Sequence, residues 1–374
     1  MGRVVAVVAC VATLAACSSS TSSSKGSAPT TGATNSTTTT VASGPKSVGH
    51  VFVINLENES YESTWGPSSP ARYLNATLVP QGKLLTQYYG IGHASLDNYI
   101  AEISGQSPNP STQGDCVAYT EFTSKGVGQY GQALGSGCVY PRTVETIADQ
   151  LSAAGKTWRA YMEDMGAPCR HPVIGTDDDT IVPREGDMYA TRHNPFVYFH
   201  SIIDSPVCAS NVVDLISLDT DLASAATTPD FSFITPNTCH DGHDKPCVDG
   251  EPGGLVSADR FLAEEVPKIL DSPAFKADGL LIITLDEADL TSTTACCHTP
   301  PAPNTEKPGL SGPGGGRIGT LLISPRVRAG TIDSTPYNHY ALLCSLEDIF
   351  GLAHLGFASA PGLTCFGRDV YDGP

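Results

Sequence analysis

The segment His50-Val51-Phe52-Val53-Ile54-Asn55-Leu56 decides the fold class, and it runs directly into Glu57-Asn58-Glu59-Ser60. A dense run of β-branched and aromatic side chains predicts a strand that is covered on both faces, which is typical of the centre of a parallel sheet. In parallel sheets, ligands bind beyond the carboxyl ends of the strands. Glu57 and Asn58 follow this strand immediately and are therefore candidate site residues.

Two later strands are also predicted to end in polar groups. Residues 230–234 lead to Asp241 and His243, and the strongly apolar run Gly279-Leu280-Leu281-Ile282-Ile283-Thr284-Leu285 ends in Asp286-Glu287. Adjacent carboxylates repel each other unless a cation or a proton lies between them. The acidic pair at this strand end therefore indicates a ligand site rather than an ordinary polar strand end.

Strands and helices alternate along the rest of the chain. Amphipathic patterns predict helices at residues 143–154, 257–270 and 337–350, and apolar runs predict strands at residues 157–162 and 318–324. Weaker patterns predict a strand at residues 83–89 and short helices at residues 196–203 and 212–223. This alternation predicts an α/β domain with a mostly parallel central sheet and helices on both faces.

The stretch Gly92-His93-Ala94-Ser95-Leu96-Asp97-Asn98-Tyr99-Ile100 predicts a helix with one buried face. Ser95 stands where the N-cap is expected, and Asp97 falls in the first turn, where an acidic residue suits the helix dipole. A cap is the ordinary role of such a serine. In the functional interpretation, the Ser95 hydroxyl lies at a helix end whose free backbone N–H groups can hold an anion.

These residues form two predicted clusters with different ligand chemistry. The first offers oxygen ligands only, which suit Mg²⁺, Ca²⁺ or Mn²⁺, and consists of Glu57, Asn58, Ser95, Asp286 and Glu287. The second combines Asp241, His243 and His339. It could hold a second, Zn- or Fe-like ion, or it could act without metal through a protonated histidine.

The amino terminus has the pattern of an export signal. Residues 1–17 contain a basic start, an apolar stretch and Leu14-Ala15-Ala16-Cys17, which resembles a bacterial lipobox. That resemblance implies cleavage before Cys17 and its lipidation. Residues 18–47 are rich in Ser and Thr and are expected to form a flexible tether, followed by one domain at residues 48–374. We therefore expect a protein anchored at the bacterial cell surface by its lipid, or secreted.

Charge and cysteine content narrow the function further. The net charge of −18 disfavours nucleic acid as a partner, and it leaves the lipid anchor as the expected membrane contact. Ten cysteines follow Cys17, and an even number in an exported protein predicts disulfides. Local spacing favours three pairs and leaves the rest open: Cys116–Cys138, Cys239–Cys247 and Cys344–Cys365.

Four segments together resemble a known family: Asn55-Leu56-Glu57-Asn58-Glu59-Ser60-Tyr61, Ser95-Leu96-Asp97-Asn98-Tyr99, Leu285-Asp286-Glu287 and Tyr337-Asn338-His339-Tyr340. It is the bacterial phosphoesterase family that joins secreted acid phosphatases and phospholipases C, within the alkaline phosphatase superfamily. The segment His193-Asn194-Pro195-Phe196 and residues 237–244 are similar to the family as well. The glycine-rich run before Arg317 looks closer to the phosphatase branch.

The resemblance implies an alkaline-phosphatase-like fold and a metal-dependent hydrolase of phosphate monoesters, which can include phosphoinositides. It implies that Ser95 is the nucleophile that becomes phosphorylated, that Asn98 binds a phosphoryl oxygen, and that His193 contacts substrate. His243 and His339 would be catalytic. Asp97 stands where the family usually has proline, so anion binding or the pH preference is expected to differ.

Two other functions remain open at this point. A phospholipase C-type phosphodiesterase would use the same site but release a phosphorylated headgroup. A non-catalytic binding lipoprotein would explain the anchor and the acidic charge, but it would not require a serine beside paired carboxylates. In the enzymatic interpretations, the partner is a phosphorylated small molecule or a lipid headgroup.

Overall fold

The computed structural model describes residues 48–371, so the predictions for the leader, Cys17 and the tether lie outside the described residues. Its centre is a sheet of eight strands. In chain order they are β1 (His50–Leu56), β2 (Lys83–Leu85), β3 (Trp158–Met162), β4 (Val212–Asp214), β5 (Phe231–Thr235), β6 (Gly279–Leu285), β7 (Thr320–Ile323) and β8 (Thr331–Asp333).

The strand order across the sheet is β8-β2-β7-β6-β1-β5-β3-β4. Strand β1 pairs in parallel with β5 and with β6, and β7 runs antiparallel to both of its neighbours. The remaining pairs are parallel, so seven strands of the sheet point in one direction. The prediction of a mostly parallel sheet with β1 at its centre is confirmed.

Helices cover both faces of this sheet. Five helices are numbered: α1 (Ser95–Ser104), α2 (Ile147–Ala153), α3 (Gly254–Asp271), α4 (Pro273–Asp278) and α5 (His339–Phe350). On one face, the ring of Phe233 contacts Tyr99 of α1 and the ring of Phe231 contacts Phe350 of α5. Phe52 of β1 pairs with Ser232, the residue between Phe231 and Phe233, so its side chain points to the opposite face of the sheet. There its ring lies 6.5 Å from that of Phe275 in α4.

Shorter elements lie in the connections. The short α-helices are Tyr61–Trp65, His200–Ile203, Pro206–Asn211, Leu218–Asp221 and Arg368–Tyr371. The minor strand pairs are Tyr88–Tyr89 with Tyr337–Asn338, Ala118–Tyr119 with Thr176–Asp177, and Thr123–Val127 with Ala133–Ser136.

Three of the weaker predictions differ from the structure. The strand expected at residues 83–89 is divided into β2 and the short strand Tyr88–Tyr89. The helix expected at residues 212–223 begins as strand β4, because its β-branched Val212-Val213 pair completes the sheet edge beside β3. The helix expected at residues 196–203 is interrupted at Phe199, whose backbone is extended.

All ten cysteines of the described residues are paired. The three predicted disulfides, Cys116–Cys138, Cys239–Cys247 and Cys344–Cys365, are confirmed. Two more join Cys169 to Cys208 and Cys296 to Cys297. Within residues 48–371, no helix combines the length and the apolar character that crossing a membrane requires.

Candidate active site

Three strand ends meet at one edge of the sheet. The N–H of Glu57 donates to the carbonyl of Asp241 at 2.8 Å, and the N–H of Asp286 donates to the carbonyl of Leu56 at 3.0 Å. The N–H of Asn58 donates to Asp286 Oδ1 at 3.0 Å. The loops that follow β1, β5 and β6 are therefore hydrogen-bonded to each other, which brings Glu57, Asp241 and Asp286 to one place, while Glu287 Oε2 lies 3.3 Å from His93 Nδ1.

Ser95 faces this edge from the start of α1. The N-cap residue is Ala94, and Ser95 is the first helical residue, so the predicted capping role of Ser95 is wrong. The Ser95 hydroxyl donates to Glu57 Oε2 at 2.8 Å, and the Tyr99 hydroxyl donates to Glu57 Oε1 at 2.5 Å. A fully buried carboxylate needs such donors, which explains why the serine points away from the backbone.

The backbone donors at the start of α1 are largely used within the protein. The N–H of Leu96 donates to Asp115 Oδ1 at 3.0 Å, and the N–H of Asp97 donates to the carbonyl of Ala94 at 3.1 Å. Asp115 belongs to the loop that the Cys116–Cys138 disulfide closes, and sequence analysis did not identify it. The expectation that these N–H groups are free for an anion is therefore wrong for both.

Asn98 closes the turn before Ser95. Its amide oxygen accepts from the N–H groups of Ile91 and Gly92 at 2.7 and 3.0 Å. Its amide nitrogen lies 3.2 Å from the carbonyls of Gly92 and Ala94. Both amide donors are thus engaged with backbone. The predicted contact with a phosphoryl oxygen remains a prediction, and it requires one of these bonds to be exchanged.

Asp97, the departure from the family pattern, lies under the same turn. Its side chain is buried and accepts a hydrogen bond from the hydroxyl of Thr112. Burial raises the pKa of Asp97 well above its ordinary value. Its carboxyl group also fills the space beside Gly92, where an added Cβ would lie 2.8 Å from Asp97 Oδ2. Where the resemblance leads us to expect proline, this chain therefore has a buried acid that packs against the turn.

The oxygen-only cluster has unused ligand atoms. Asn58 Oδ1 and Asp286 Oδ2 are buried, and neither has a hydrogen-bond partner among residues 48–371. Burial raises the pKa of Asp286 to about 6. Burial, and then the charges of Asp286 and Asp241, raise the pKa of Glu57 well above its usual range. Burial and the neighbouring Asp286 do the same for Glu287.

Buried carboxylates that repel each other are stabilised by a proton or by a cation. Oxygen ligands in this number and of this type are the set that a hard divalent ion prefers. The atoms without partners, together with the repulsion, fit a divalent ion near Glu57, Asn58 and Asp286, with Ser95 adjacent. Glu287 fits this set by its chemistry, although among the described residues its carboxylate does not form a group with those of Glu57 and Asp286 in which all ligand atoms lie within 4.8 Å of one another.

A second group forms on the other side of Glu57. Glu57, His193 and Asp241 each offer one ligand atom, and these atoms all lie within 4.8 Å of one another. His193 Nδ1 lies 3.0 Å from Asp241 Oδ2, and its Nε2 lies 3.6 Å from Glu57 Oε2. Burial, followed by the charge of Arg192, lowers the pKa of His193 well below its ordinary value. A neutral imidazole of this kind can serve as a metal ligand.

His339 lies outside this second group, which corrects the predicted cluster. Its Nδ1 is 2.8 Å from Glu102 Oε1, and its Nε2 is 2.6 Å from the carbonyl oxygen of Asp286. Both ring nitrogens are therefore engaged away from Asp241 and His243. Although burial opposes it, the Glu102 carboxylate raises the pKa of His339. Glu102, on α1, was not identified from the sequence, because nothing in its local pattern marks a distant partner.

His243 contacts the same group through its backbone and is hydrogen-bonded to an arginine. Its N–H donates to Asp241 Oδ1 at 2.8 Å, and its Nδ1 lies 2.9 Å from Asp244 Oδ1. Its Nε2 lies 3.3 Å from Arg192 Nη2. Because a guanidinium group can only donate, Nε2 must accept, and the ring proton lies on Nδ1 toward Asp244. Arg192 was also missed, although it directly precedes His193.

A cavity of about 570 Å³ lies beside Gly90 and Ile91, lined by Pro301, Tyr340 and Phe357 among others. None of the predicted site residues lines it. The candidate active site is therefore defined by its charged and hydroxyl side chains rather than by this cavity.

The phosphoesterase family model matches residues 71–353, and the chain belongs to the phosphoesterase family. The match includes Ser95, His193, Asp241 and Asp286, while Glu57 and Asn58 precede it.

Curated relatives come from fungi and from a bacterium. The phosphate-repressible acid phosphatase of Penicillium chrysogenum is 28% identical, over 80% of this chain and 58% of the relative. The phosphatidylinositol-3-phosphatase of Mycobacterium tuberculosis is 25% identical, over 86% of this chain and 84% of the relative. The chain thus spans little more than half the length of the fungal acid phosphatases it matches.

Among solved structures, a protein of the alkaline phosphatase superfamily from Vibrio parahaemolyticus aligns with a TM-score of 0.48 and 14% identity. The alignment covers 87% of this chain and 72% of that one.

Proposed function

We propose that this protein is an exported, metal-dependent acid phosphatase that hydrolyses phosphate monoesters through a phosphoserine intermediate on Ser95. The observation that carries the proposal is the hydrogen bond from the Ser95 hydroxyl to the fully buried Glu57, beside carboxylates that suit a divalent ion. The names of the relatives support a phosphatase, and the name of the mycobacterial relative favours phosphoinositides as one substrate class.

The proposed reaction begins with Ser95. Its Oγ attacks the phosphorus atom, the bond from phosphorus to the leaving oxygen breaks, and the alcohol leaves with a proton. Glu57 Oε2, at 2.8 Å, is the nearest acceptor for the hydroxyl proton, and it holds Oγ away from the helix backbone. Water then hydrolyses the phosphoserine and regenerates the hydroxyl. When bound by Glu57, Asn58, Asp286 and Glu287, a divalent cation such as Mg²⁺, Ca²⁺ or Mn²⁺ would lower the pKa of the Ser95 hydroxyl and neutralise developing charge.

The second group extends this proposal. Glu57, His193 and Asp241 fit a mixed nitrogen and oxygen set for a second, Zn- or Fe-like ion. Asp241 orients His193 through Nδ1, which leaves Nε2 as its ligand atom. Both ring nitrogens of His243 are engaged, by Asp244 and Arg192, so His243 does not replace His193 as a ligand of this group.

Localisation belongs to the same proposal. The lipobox-like segment ending in Cys17 supports export and lipid anchoring of the domain. Labelling of cells with a radioactive fatty acid should label the wild type and leave Cys17→Ala unlabelled. Equal labelling of both would contradict the anchor without affecting the catalytic proposal.

The test of the reaction is phosphate release by chelated protein to which single metals are returned. Wild type should release inorganic phosphate from an aryl phosphate and from a phosphoinositide, and Ser95→Ala should lose at least about 1,000-fold in kcat. Acid quenching during turnover should trap phosphate on the peptide that contains Ser95. Ser210→Ala, which changes an exposed serine far from the strand ends, is the matched control.

Other outcomes would identify the alternatives. Release of a phosphorylated headgroup from a diester, without inorganic phosphate, would assign a phosphodiesterase. Wild-type rates in Ser95→Ala would remove the serine from the mechanism. Binding of phosphate compounds without turnover under any metal would support the binding lipoprotein.

A further inference from the structure

Arg192 is a buried cation without a matching anion. Only 5% of its surface is exposed, and Nη1 has no hydrogen-bond partner among the described residues. The other terminal nitrogen, Nη2, contacts a neutral acceptor, His243 Nε2, at 3.3 Å. A guanidinium group keeps its charge even when buried, so leaving it unpaired is costly unless an anion binds.

The carboxylates around Arg192 are committed elsewhere. Asp115 accepts from the N–H of Leu96, and Asp241 accepts from the N–H of His243. Asp244 accepts from the hydroxyl of Thr238 and pairs with the ring of His243. Within residues 48–371, none of these acids forms an ion pair with Arg192 at 4.0 Å or less. Arg192 acts on them only through its charge, which helps to lower the pKa of Asp115 and Asp241 against the effect of burial.

The position of Arg192 connects it to Ser95 by two routes. Its neighbour in the chain, His193, lies 3.6 Å from Glu57 Oε2, the atom that accepts the Ser95 hydroxyl at 2.8 Å. On the other route, Asp115 lies within the electrostatic influence of Arg192 and caps α1 at Leu96, the residue after Ser95. The segment Thr191–His193, which carries Arg192, therefore packs against α1, and the charge of Arg192 acts at the start of that helix.

A phosphate dianion in this site needs hydrogen-bond donors, and several of the donors near Ser95 are already used. The N–H groups of Leu96 and Asp97 and both amide donors of Asn98 are engaged within the protein. Glu57, which accepts from the Ser95 hydroxyl, is a carboxylate and repels an anion. Arg192 Nη1 is a buried cationic donor without a partner among the described residues, and a guanidinium group matches phosphate oxygens in charge and geometry.

We propose that Arg192 is the substrate-binding residue that receives the phosphoryl oxygens, and that His243 holds its guanidinium in place. This inference rests on the proposed phosphatase function and adds the group that recognises the phosphate dianion. It also removes the need for a protonated histidine, because Arg192 supplies a positive charge at every pH at which the protein is folded.

The experiment measures inorganic phosphate as a ligand and as an inhibitor of the metal-loaded protein. Arg192→Gln should raise both KM for an aryl phosphate and the inhibition constant of inorganic phosphate by about 10- to 100-fold. Arg192→Lys, which keeps the charge but loses the planar fork, should raise them less. Arg142→Gln, at an exposed arginine paired with Asp204, is the matched control and should leave both unchanged.

The outcomes separate this inference from the proposed function. Wild-type inhibition constants in metal-loaded Arg192→Gln and Arg192→Lys would overturn the role of Arg192 while leaving the phosphatase intact. A change in melting temperature with an unchanged inhibition constant would also overturn it, since that result describes a purely structural arginine. If Arg192→Gln does not fold, the inhibition constant of Arg192→Lys decides. A wild type that releases no phosphate under any metal refutes the proposed function instead; calorimetric titration of wild type and Arg192→Gln with inorganic phosphate then still tests Arg192.

Discussion

The two halves of the candidate site differ in what they lack. Asn58 Oδ1 and Asp286 Oδ2 are buried without hydrogen-bond partners among the described residues, and burial lowers the pKa of His93. Around Arg192, a buried cation lacks an anion within the described residues. Glu57 contacts both halves, through Ser95 on one side and His193 on the other. The carboxylates of the site thus need cations, and Arg192 beside them needs an anion, which together are the complement of a metal-bound phosphate ester.

The largest effect is expected at the residue that the two halves share. Glu57→Gln should lower kcat/KM by at least about 1,000-fold and reduce metal content at both groups, since it removes a charged ligand from each. Asp286→Asn should remove metal from the oxygen-only half and lower kcat/KM by at least about 100-fold. Elemental analysis of purified protein, with the exposed Asp271→Asn as control, checks both. Full metal content in both variants would contradict the shared role.

A smaller effect should distinguish the two histidines. His193→Asn removes the ligand atom at Nε2 and should lower kcat/KM by about 100-fold while retaining the fold. His339→Asn breaks the buried pair with Glu102 and should act first on the free energy of unfolding, by about 3–5 kcal/mol. Kinetics and denaturant unfolding of both variants measure this contrast. A larger loss of activity in folded His339→Asn than in His193→Asn would restore the sequence-based grouping of His339 with Asp241.

The comparison also shows what the sequence could and could not predict. Strands β1 and β6 were predicted at their observed bounds, because buried parallel strands are continuous apolar runs and need no distant information. The carboxylates at their ends followed from the same pattern. Arg192 and Asp115 could not be found in this way, since they lie in irregular connections and their importance depends on contacts across the fold.

The orientation of Ser95 depends on the same kind of information. The local sequence pattern predicts that Ser95 caps the helix. In the structure its hydroxyl instead donates to Glu57, which lies 38 residues earlier in the chain. The choice between a cap and an active-site hydroxyl is decided by a buried carboxylate that only the fold brings near.

Glu347 tests whether a buried carboxylate without a partner must indicate a cation. Its Oε1 accepts from the N–H of Leu355 at 2.8 Å, and its Oε2 has no partner among the described residues. Burial raises the pKa of Glu347 to about 9. The distinction from the oxygen-only half is that no buried cluster of acids surrounds it, so a single proton is enough to neutralise this residue. Glu347→Gln should therefore leave metal content and kcat unchanged.

Its effect should appear in the pH dependence of stability. Between the unfolded value near 4.5 and the folded value of about 9, the folded protein holds a proton on Glu347 that the unfolded chain has released. Stability from this residue is fully present below the unfolded pKa and is lost as pH rises, by up to about 1.4 kcal/mol per pH unit. Because glutamine is neutral throughout, the free energy of unfolding of Glu347→Gln should match that of wild type at pH 5 and exceed it by more than about 2 kcal/mol at pH 8.

Denaturant unfolding at the two pH values, with the exposed Glu264→Gln as control, measures that difference. An identical offset at both pH values would mean that Glu347 is ionised in the folded protein. A buried carboxylate oxygen without a hydrogen-bond partner would then be no evidence for a bound proton. At Asp286, the inference of a bound cation would then need direct evidence of that cation.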